Sequence, residues 1–365
     1  MSAPIFRSEL FETSGGADFI LAVRIIKKSG EPWLILPQER ELAVQGLSLY
    51  PAQTAFAKRA RQMLGIALRL GLPMKSERAE MQLSREDSFV RFLRGLTPGD
   101  EKSFPSFAML AGNPKATGRR FILLLFFHGK PVCVVKAGVG PEAQELVQRE
   151  NLFFRAVPPG TPGLPKARSL FASSRVKALA MDYVAGDSPA VDACQEIGVL
   201  LSAWVNREKR VQLEEIRAWQ RLSKEQSGDP IFLKLNSAFK DTKFCATLFH
   251  GDFAPWNIKV ANGTWTALDW ERGEAVGFPG WDWFHYVAQS AILVEKLSAE
   301  AVARKLEKLL AGESFQKYAA TAGISGQEKV LTVAYLFYCA KILRPTEGAE
   351  VGEKTLSILV ERWLK

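Results

Sequence analysis

The chain has 365 residues, of which 47% are hydrophobic and 24% are charged, so it has the length and composition of a globular protein with a substantial core. Its apolar runs are short: residues 121–127 form a run of seven, against the ~20 residues that a membrane-spanning helix needs. The formal net charge is +9, but lysines and arginines are mixed with acidic residues along the whole chain. These features exclude a membrane-spanning protein and favour neither a nucleic-acid nor a membrane partner.

The cysteines and histidines limit the metal and redox chemistry that the chain can carry. Cys133, Cys194, Cys245 and Cys339 lie far apart, form no CxxC pair and have no histidine nearby in the sequence to complete a zinc set. We therefore expect reduced, buried thiols, and any bound metal should have oxygen ligands. The first residues carry acidic groups and no continuous apolar segment, so we expect a cytoplasmic protein.

Residues 1–103 predict a small α+β unit to which the sequence assigns no chemistry. Two apolar runs within residues 18–36, separated by a polar turn, are typical of a β-hairpin. Apolar residues at helical spacing predict a helix over residues 54–71, with Gly71 as its stop. A second helix is expected to begin at Ser84, with Asp87 as its capping-box partner.

Residues 104–186 predict an antiparallel β-meander covered by one helix. Three strand-like runs with short connections lie within residues 106–138, and residues 140–157 follow with a proline and acidic residues suited to a helix start. A further pair of strands is expected within residues 171–186. Residues 187–365 are expected to be mostly helical, apart from an irregular stretch that begins near residue 248, so the predicted fold class is α+β.

Three polar side chains in that irregular stretch are spaced in a way that folding does not require. Asp252 follows an apolar run, Asn257 comes five residues later, and Asp269 ends another strand-like segment. Carboxylate and amide oxygens bind magnesium, and a carboxylate next to them can accept the proton of a hydroxyl group. The spacing therefore predicts a site for transfer of a phosphoryl group from Mg-ATP.

The segments HGDFAPWN (250–257) and LDWE (268–271) resemble the catalytic and metal motifs of the aminoglycoside phosphotransferase and choline kinase family. The resemblance implies a protein-kinase-like fold with two lobes and a requirement for ATP and Mg²⁺. It assigns Asp252 as the catalytic carboxylate, His250 as the brace of the catalytic loop, and Asn257 and Asp269 as metal ligands. It also makes Asp282 a support of the loop, although a helix N-cap explains this residue equally well.

The same resemblance implies a lysine that contacts the ATP phosphates and a helical glutamate that pairs with it. Lys136, at the end of the third meander strand, matches the lysine, although a lysine exposed to water at a strand end is the alternative. Glu150 is the preferred partner, and Glu145 on the same predicted helix is the rival.

Two further segments resemble nucleotide-binding elements of that family. The turn between the first two meander strands could cover the phosphates of the nucleotide. The residues of this turn that would do so are Gly112, Lys115, Thr117 and Gly118. A plain hairpin turn without a ligand is the alternative. The second segment resembles a hinge between the lobes that contacts adenine, and the residues of this hinge would be Met181, Tyr183 and Val184. An edge strand is the alternative.

Only twelve residues separate Asp269 from Asp282, which leaves no room for a long peptide-docking segment. The sequence therefore predicts a small-molecule hydroxyl acceptor, while a catalytically inactive nucleotide-binding scaffold and a protein-directed kinase stay open. Residues 205–226 contain more lysine and arginine than glutamate, so we expect the acceptor to be neutral or anionic. The predicted domains are an N-terminal extension (1–103), a β-rich lobe (104–186) and a helical lobe (187–365). The sequence does not indicate an oligomeric state.

Overall fold

The computed structural model describes residues 4–12, 16–50, 55–72, 75–97, 104–112, 119–343 and 347–364. The chain divides into two compact units. Unit 1 comprises Met1–Phe154 and Pro165–Val184, and unit 2 comprises Arg155–Leu164 and Ala185–Lys365.

Unit 1 is built on a mixed sheet flanked by helices. Its elements in chain order are β1 (Ile5–Phe6), β2 (Phe19–Lys28), β3 (Glu31–Pro37), α1 (Arg40–Gly46), α2 (Ala55–Leu70), β4 (Glu77–Leu83), α3 (Ser88–Gly95), β5 (Phe107–Ala111), β6 (Arg119–Phe127), β7 (Lys130–Val139), α4 (Pro141–Ala156), β8 (Ala167–Ala172) and β9 (Val176–Asp182). The described strands form one sheet in the order β1-β4-β2-β3-β5-β6-β7-β9-β8. The hairpin, the meander and its following helix lie where the sequence predicts them.

The first hundred residues continue the sheet of the following segment. Strand β3 pairs antiparallel with β5, with Leu34 opposite Leu110 and Ile35 opposite Met109. The expected boundary at 103/104 therefore lies between two neighbouring strands of one sheet, and unit 1 is larger than the predicted small lobe. The α+β class, with one β-rich unit and one mainly helical unit, is confirmed.

Both faces of the central strands are buried, which explains their nearly continuous apolar sequences. Ile35 and Leu123 belong to one core cluster, whereas their neighbours Leu34 and Leu124 belong to the cluster on the opposite face. Successive side chains of a strand point to opposite faces, so each of these strands supplies both clusters. The run at 121–127 is such a strand.

The start of α3 differs from the sequence prediction. The helix begins at Ser88, and Asp87 is its N-cap, accepting hydrogen bonds from the N–H groups of Phe89 and Val90 at 2.7 and 3.4 Å. The prediction of a helix start at Ser84 is wrong because the cap is Asp87 itself. A carboxylate in that position satisfies two otherwise unpaired N–H groups of the first turn.

Unit 2 is mainly helical. Its elements in chain order are α5 (Cys194–Ala203), β10 (Val205–Val211), α6 (Arg217–Gln226), α7 (Pro230–Ala238), β11 (Phe244–Phe249), β12 (Ile258–Ala261), β13 (Thr264–Ala267), β14 (Glu274–Gly277), α8 (Trp281–Gln289), α9 (Ala299–Ala311), α10 (Glu313–Ala322), α11 (Glu328–Tyr338) and α12 (Ala349–Trp363). Strands β10, β11 and β14 form one small sheet, and β12 with β13 forms a hairpin. One π-turn continues α8 through Ser290–Val294, and another continues α11 through Cys339–Leu343.

A dense aromatic core surrounds helix α8. Trp281 and Trp283 are fully buried, and Trp281 stacks on Phe278 with ring centroids 4.5 Å apart. Both tryptophans therefore pack in the core. At the edge of the same unit, Asp187 and Val260 exchange two backbone hydrogen bonds of 3.2 and 2.8 Å.

Two smaller features complete the description of the chain. None of the helices in the described ranges combines the length and apolar character of a membrane span. The four cysteines are free thiols, and Cys133 and Cys245 are buried as expected. Cys194, the first residue of α5, is exposed and Cys339 is only partly buried, so the expectation of a buried thiol is wrong for these two.

Candidate active site

A sharp turn at the end of β11 presents Asp252. The strand ends at Phe249, and Gly251 follows with a positive φ of 76°. A Cβ atom at position 251 would lie 3.0 Å from Cβ of Arg272 and 3.1 Å from its carbonyl oxygen. Glycine therefore lets the chain turn close to the segment after β13, and the Asp252 side chain remains 34% exposed.

Asp282, at the start of α8, holds this turn by its backbone. Its Oδ2 accepts the N–H of His250 at 2.8 Å, and its Oδ1 accepts the N–H of Gly251 at 3.1 Å. Burial raises the pKa of Asp282 to about 7, although the two N–H donors favour the charged form. The N-cap of α8 is Gly280, so the N-cap interpretation of Asp282 is wrong. Its carboxylate instead contacts the backbone of the turn.

His250 ties the turn to the end of β13. Its Nε2 lies 2.8 Å from the carbonyl oxygen of Leu268, and its Nδ1 accepts the N–H of Asp252 at 3.2 Å. These partners require the proton on Nε2. Burial lowers the pKa of His250 to about 4, so the imidazole is neutral near pH 7 and donates to Leu268.

Asn257 orients the carboxylate of Asp252. Its Nδ2 donates to the carbonyl oxygen of Asp252 at 2.9 Å and to the Asp252 Oδ2 at 3.0 Å. Burial opposes ionisation of Asp252, but the hydrogen bond from His285, together with the charge of Arg272, keeps its pKa below the ordinary value. Asp252 is therefore ionised near neutral pH and can accept a proton or a hydrogen bond.

The β12–β13 hairpin brings Asp269 to the same end as Asn257. Ile258 pairs with Ala267, and the N–H of Leu268 donates to the carbonyl oxygen of Asn257 at 2.7 Å. Asp269 follows directly in the left-handed conformation, with φ 69° and ψ 61°, which aspartate and asparagine tolerate better than most residues.

This arrangement suits magnesium chemically. Because the amide nitrogen of Asn257 is bonded to Asp252, its oxygen is the end that can face a cation, and Asp269 adds a carboxylate. Magnesium in nucleotide sites is commonly held by one or two such oxygens together with phosphates and water. The described residues contain no group of three or more His, Cys, Asp or Glu side chains that could enclose a metal by themselves.

His285, to which the sequence assigns no role, also reaches this turn, and Tyr335 in turn contacts His285. His285 Nε2 lies 3.1 Å from the Asp252 Oδ1, and the Tyr335 hydroxyl lies 2.9 Å from His285 Nδ1. His285 and Tyr335 are 4% and 2% exposed. The sequence gives one indication that His285 lies near the turn: it follows Asp282 by three residues and is therefore on the same face of α8.

Unit 1 contains the predicted lysine–glutamate pair. Lys136 Nζ on β7 donates to Glu150 Oε1 on α4 at 2.7 Å, and the Glu150 side chain is 2% exposed. The rival Glu145 instead accepts a hydrogen bond from Arg149 at 3.0 Å on the exposed side of the same helix. Glu150 is therefore the partner of Lys136 in this structure.

The other predicted nucleotide residues of unit 1 are only partly described. A Cβ atom on Gly112 would lie 2.3 Å from the carbonyl oxygen of Arg120, so glycine is needed where β5 leaves the sheet. Lys115, Thr117 and Gly118 lie outside the described residues. Met181 is buried at the end of β9, the Tyr183 N–H donates to the Val132 carbonyl at 3.2 Å, and Val184 is the last residue of unit 1.

Comparison with known proteins finds similarity at the level of solved structures. No protein-family model and no curated protein sequence matches the chain. It is similar to aminoglycoside phosphotransferase APH(4)-Ia in a ternary complex with AMP-PNP and hygromycin B, with 12% identity, 75% of this chain and 98% of the other covered, and a TM-score of 0.48. It is also similar to ADP-bound aminoglycoside phosphotransferase APH(2'')-Ib, with 13% identity, coverage of 76% and 97%, and a TM-score of 0.40.

Proposed function

We propose that the protein transfers the γ-phosphoryl group of ATP to a hydroxyl group of a small molecule. The observation that carries this proposal is the arrangement around Asp252. Its carboxylate is ionised, one third exposed and oriented by Asn257, on a turn whose backbone Asp282 holds. A hydroxyl acceptor needs such a group to orient it and to accept its proton as the phosphoryl group transfers.

The remaining roles follow from the chemistry of each side chain. Asn257 and Asp269 would hold Mg²⁺, which neutralises phosphate charge when it is bound. Lys136, oriented by Glu150, would contact the α- and β-phosphates. The backbone of Met181, Tyr183 and Val184 would contact adenine. Gly112, with Lys115, Thr117 and Gly118, would contribute to phosphate binding.

The test separates phosphoryl transfer from nucleotide binding. Asp252→Asn keeps the size of the side chain but removes its basicity, so turnover should fall about 100-fold or more while calorimetry still detects Mg-ATP binding. Asp192→Asn, at an exposed position, is the matched control and should keep wild-type turnover. Wild-type turnover in Asp252→Asn would contradict the role of Asp252. Binding of ATP by the wild-type protein without transfer to any acceptor would indicate the scaffold alternative.

We also propose a neutral or anionic acceptor, such as a sugar or another hydroxylated metabolite. The support is the basic segment 205–226, in which Arg207, Lys209 and Arg210 are exposed. An ATPase-coupled screen should compare sugars and hydroxylated acids with aminoglycosides and choline at matched concentrations. Turnover confined to the cations would contradict this charge argument.

A further inference from the structure

Helix α8 holds the catalytic turn at two points. Asp282 binds the backbone N–H groups of His250 and Gly251, and His285, one helical turn later, reaches the carboxylate of Asp252. Residues three apart on a helix lie on the same face, so one rigid element fixes both the path of the turn and the side chain that it presents. The contact through Asp282 supports the loop, whereas the contact through His285 acts on the reacting group.

The two oxygens of Asp252 receive hydrogen bonds from different donors. Oδ1 faces His285 Nε2 at 3.1 Å, and Oδ2 accepts from Asn257 Nδ2 at 3.0 Å. The terminal torsion of an aspartate is otherwise broad, so a carboxylate on a partly exposed turn would sample many orientations. A fixed donor on each oxygen selects one orientation of the carboxylate plane.

The direction of the His285 hydrogen bond follows from its partners. An ionised carboxylate only accepts hydrogen bonds, so Nε2 of His285 must carry a proton. In the neutral imidazole Nδ1 is then an acceptor, and the Tyr335 hydroxyl, 2.9 Å away, donates to it. Burial raises the pKa of Tyr335 well above its ordinary value, so this hydroxyl keeps its proton.

We propose that His285 is a positioning residue for the phosphoryl transfer, and that the Tyr335 hydroxyl, bonded to Nδ1, holds the imidazole so that Nε2–H faces Asp252. This proposal rests on the proposed function for its kinetic consequence. Its structural content, the ring orientation held by Tyr335, does not depend on that function. The chain of contacts runs from α11 through α8 to the catalytic turn, all within unit 2.

The kinetic test uses two substitutions at His285. His285→Ala removes the donor, so kcat should fall about 10- to 100-fold with the KM for ATP unchanged, because a misoriented base slows the chemical step rather than binding. His285→Gln places an amide N–H close to the position of Nε2 and should recover most of the lost kcat. A wild-type kcat in His285→Ala, or equal losses in both variants, would overturn the proposal.

A matched pair of tyrosine variants tests the role of the hydroxyl. Tyr335→Phe removes the donor to His285 and should lower kcat. Tyr338→Phe makes the same change at a buried position on the same helix, where the hydroxyl lies 3.5 Å from Arg221 and makes no contact with His285, and should keep the wild-type kcat. Equal kcat values in the two variants would overturn the role of Tyr335.

A spectroscopic test works even if no acceptor is turned over. The chain has only three histidines, so ring ¹⁵N spectra of histidine-labelled protein can be assigned with His285→Gln. The wild-type spectrum should show His285 with its proton on Nε2, and Tyr335→Phe should shift the Nδ1 resonance, which loses its hydrogen-bond donor, while Tyr338→Phe leaves it unchanged. A wild-type His285 protonated on Nδ1 only would overturn the proposal, whereas absent turnover with the expected spectra would contradict the proposed function instead.

Discussion

Truncation of two glutamates on helix α4 should have very different effects on stability. Glu150 is 2% exposed and pairs with Lys136, whereas Glu145 is 55% exposed and pairs with Arg149 four residues later. Glu→Ala at either position makes the same chemical change on the same helix, so the gain in helix propensity is shared. The difference between the two variants therefore reports the environment of each ion pair.

The magnitudes follow from burial. Removing one partner of a buried ion pair costs about 3–5 kcal/mol because the remaining buried charge loses its close counter-charge. Lys136 is 17% exposed and reaches some water, so we expect the lower end for Glu150→Ala, about 3 kcal/mol of unfolding free energy. An exposed pair at this helical spacing contributes about 0.3–0.5 kcal/mol, which is the loss expected for Glu145→Ala.

The assay must report on unit 1. Trp33 is the only tryptophan of unit 1, so total tryptophan fluorescence would mainly follow unit 2. Urea unfolding followed by circular dichroism should be combined with hydrogen exchange of peptides from β7 and α4, because two units need not unfold together. Exchange protection should fall in Glu150→Ala and stay close to wild type in Glu145→Ala.

Replacing both partners provides an internal check. Lys136→Met with Glu150→Leu removes both charges together, and the double variant should recover most of the stability lost by Glu150→Ala. It should still fail to bind ATP tightly if Lys136 contacts the phosphates. Equal destabilisation by Glu150→Ala and Glu145→Ala would refute the argument from burial.

Three further predictions test other parts of the molecule. Asp269→Ala should lower ATP affinity in the presence of magnesium, and equal ATP affinity of the wild-type protein with and without magnesium would contradict the metal assignment. The pKa of Asp282 is raised to about 7, so its contribution to stability is complete below about pH 4 and is lost as the pH rises through 7. Urea titrations across that range should show this loss in the wild-type protein and not in Asp282→Asn. Gly186 has a φ of 116° and its Cβ would lie 2.3 Å from the Val260 carbonyl oxygen, so Gly186→Ala should cost about 2 kcal/mol or more in thermal unfolding.

Local patterns in the sequence predict local structure well in this chain. The β2–β3 hairpin, the meander β5–β7 and helix α4 lie where apolar periodicity and turn residues place them. The spacing of Asp252, Asn257 and Asp269 likewise predicts the turn and hairpin that join them, since these contacts are close in sequence. Long-range pairing is different: nothing in β3 specifies that it pairs with β5, because an apolar strand fits many partners.

The missed elements also have physical explanations. Strand β10 has the sequence VNREKRV, which lacks the apolar alternation typical of a strand because most of its residues are exposed. It nevertheless pairs with β11, with a bulge in the register. His285 lies within an aromatic run whose residues are typical of a hydrophobic core, so the sequence does not indicate a site residue there. Only the fold brings its imidazole to Asp252. Tyr335, on α11, is fifty residues further along the chain, so no local spacing could connect the two side chains.

The continuity of the unit 1 sheet has a practical consequence for dissecting the protein. A chain truncated to start at residue 104 would lose β3, and the backbone of β5 opposite Leu34 and Ile35 would become an unprotected edge. Ala108 and Met109 of that strand are fully buried in the intact protein, so the new edge would be apolar as well as unpaired. Such edges promote aggregation by pairing with other chains. Strands β1–β4 therefore protect the edge of the sheet that carries Lys136, and the first hundred residues should be expressed together with the rest of the chain.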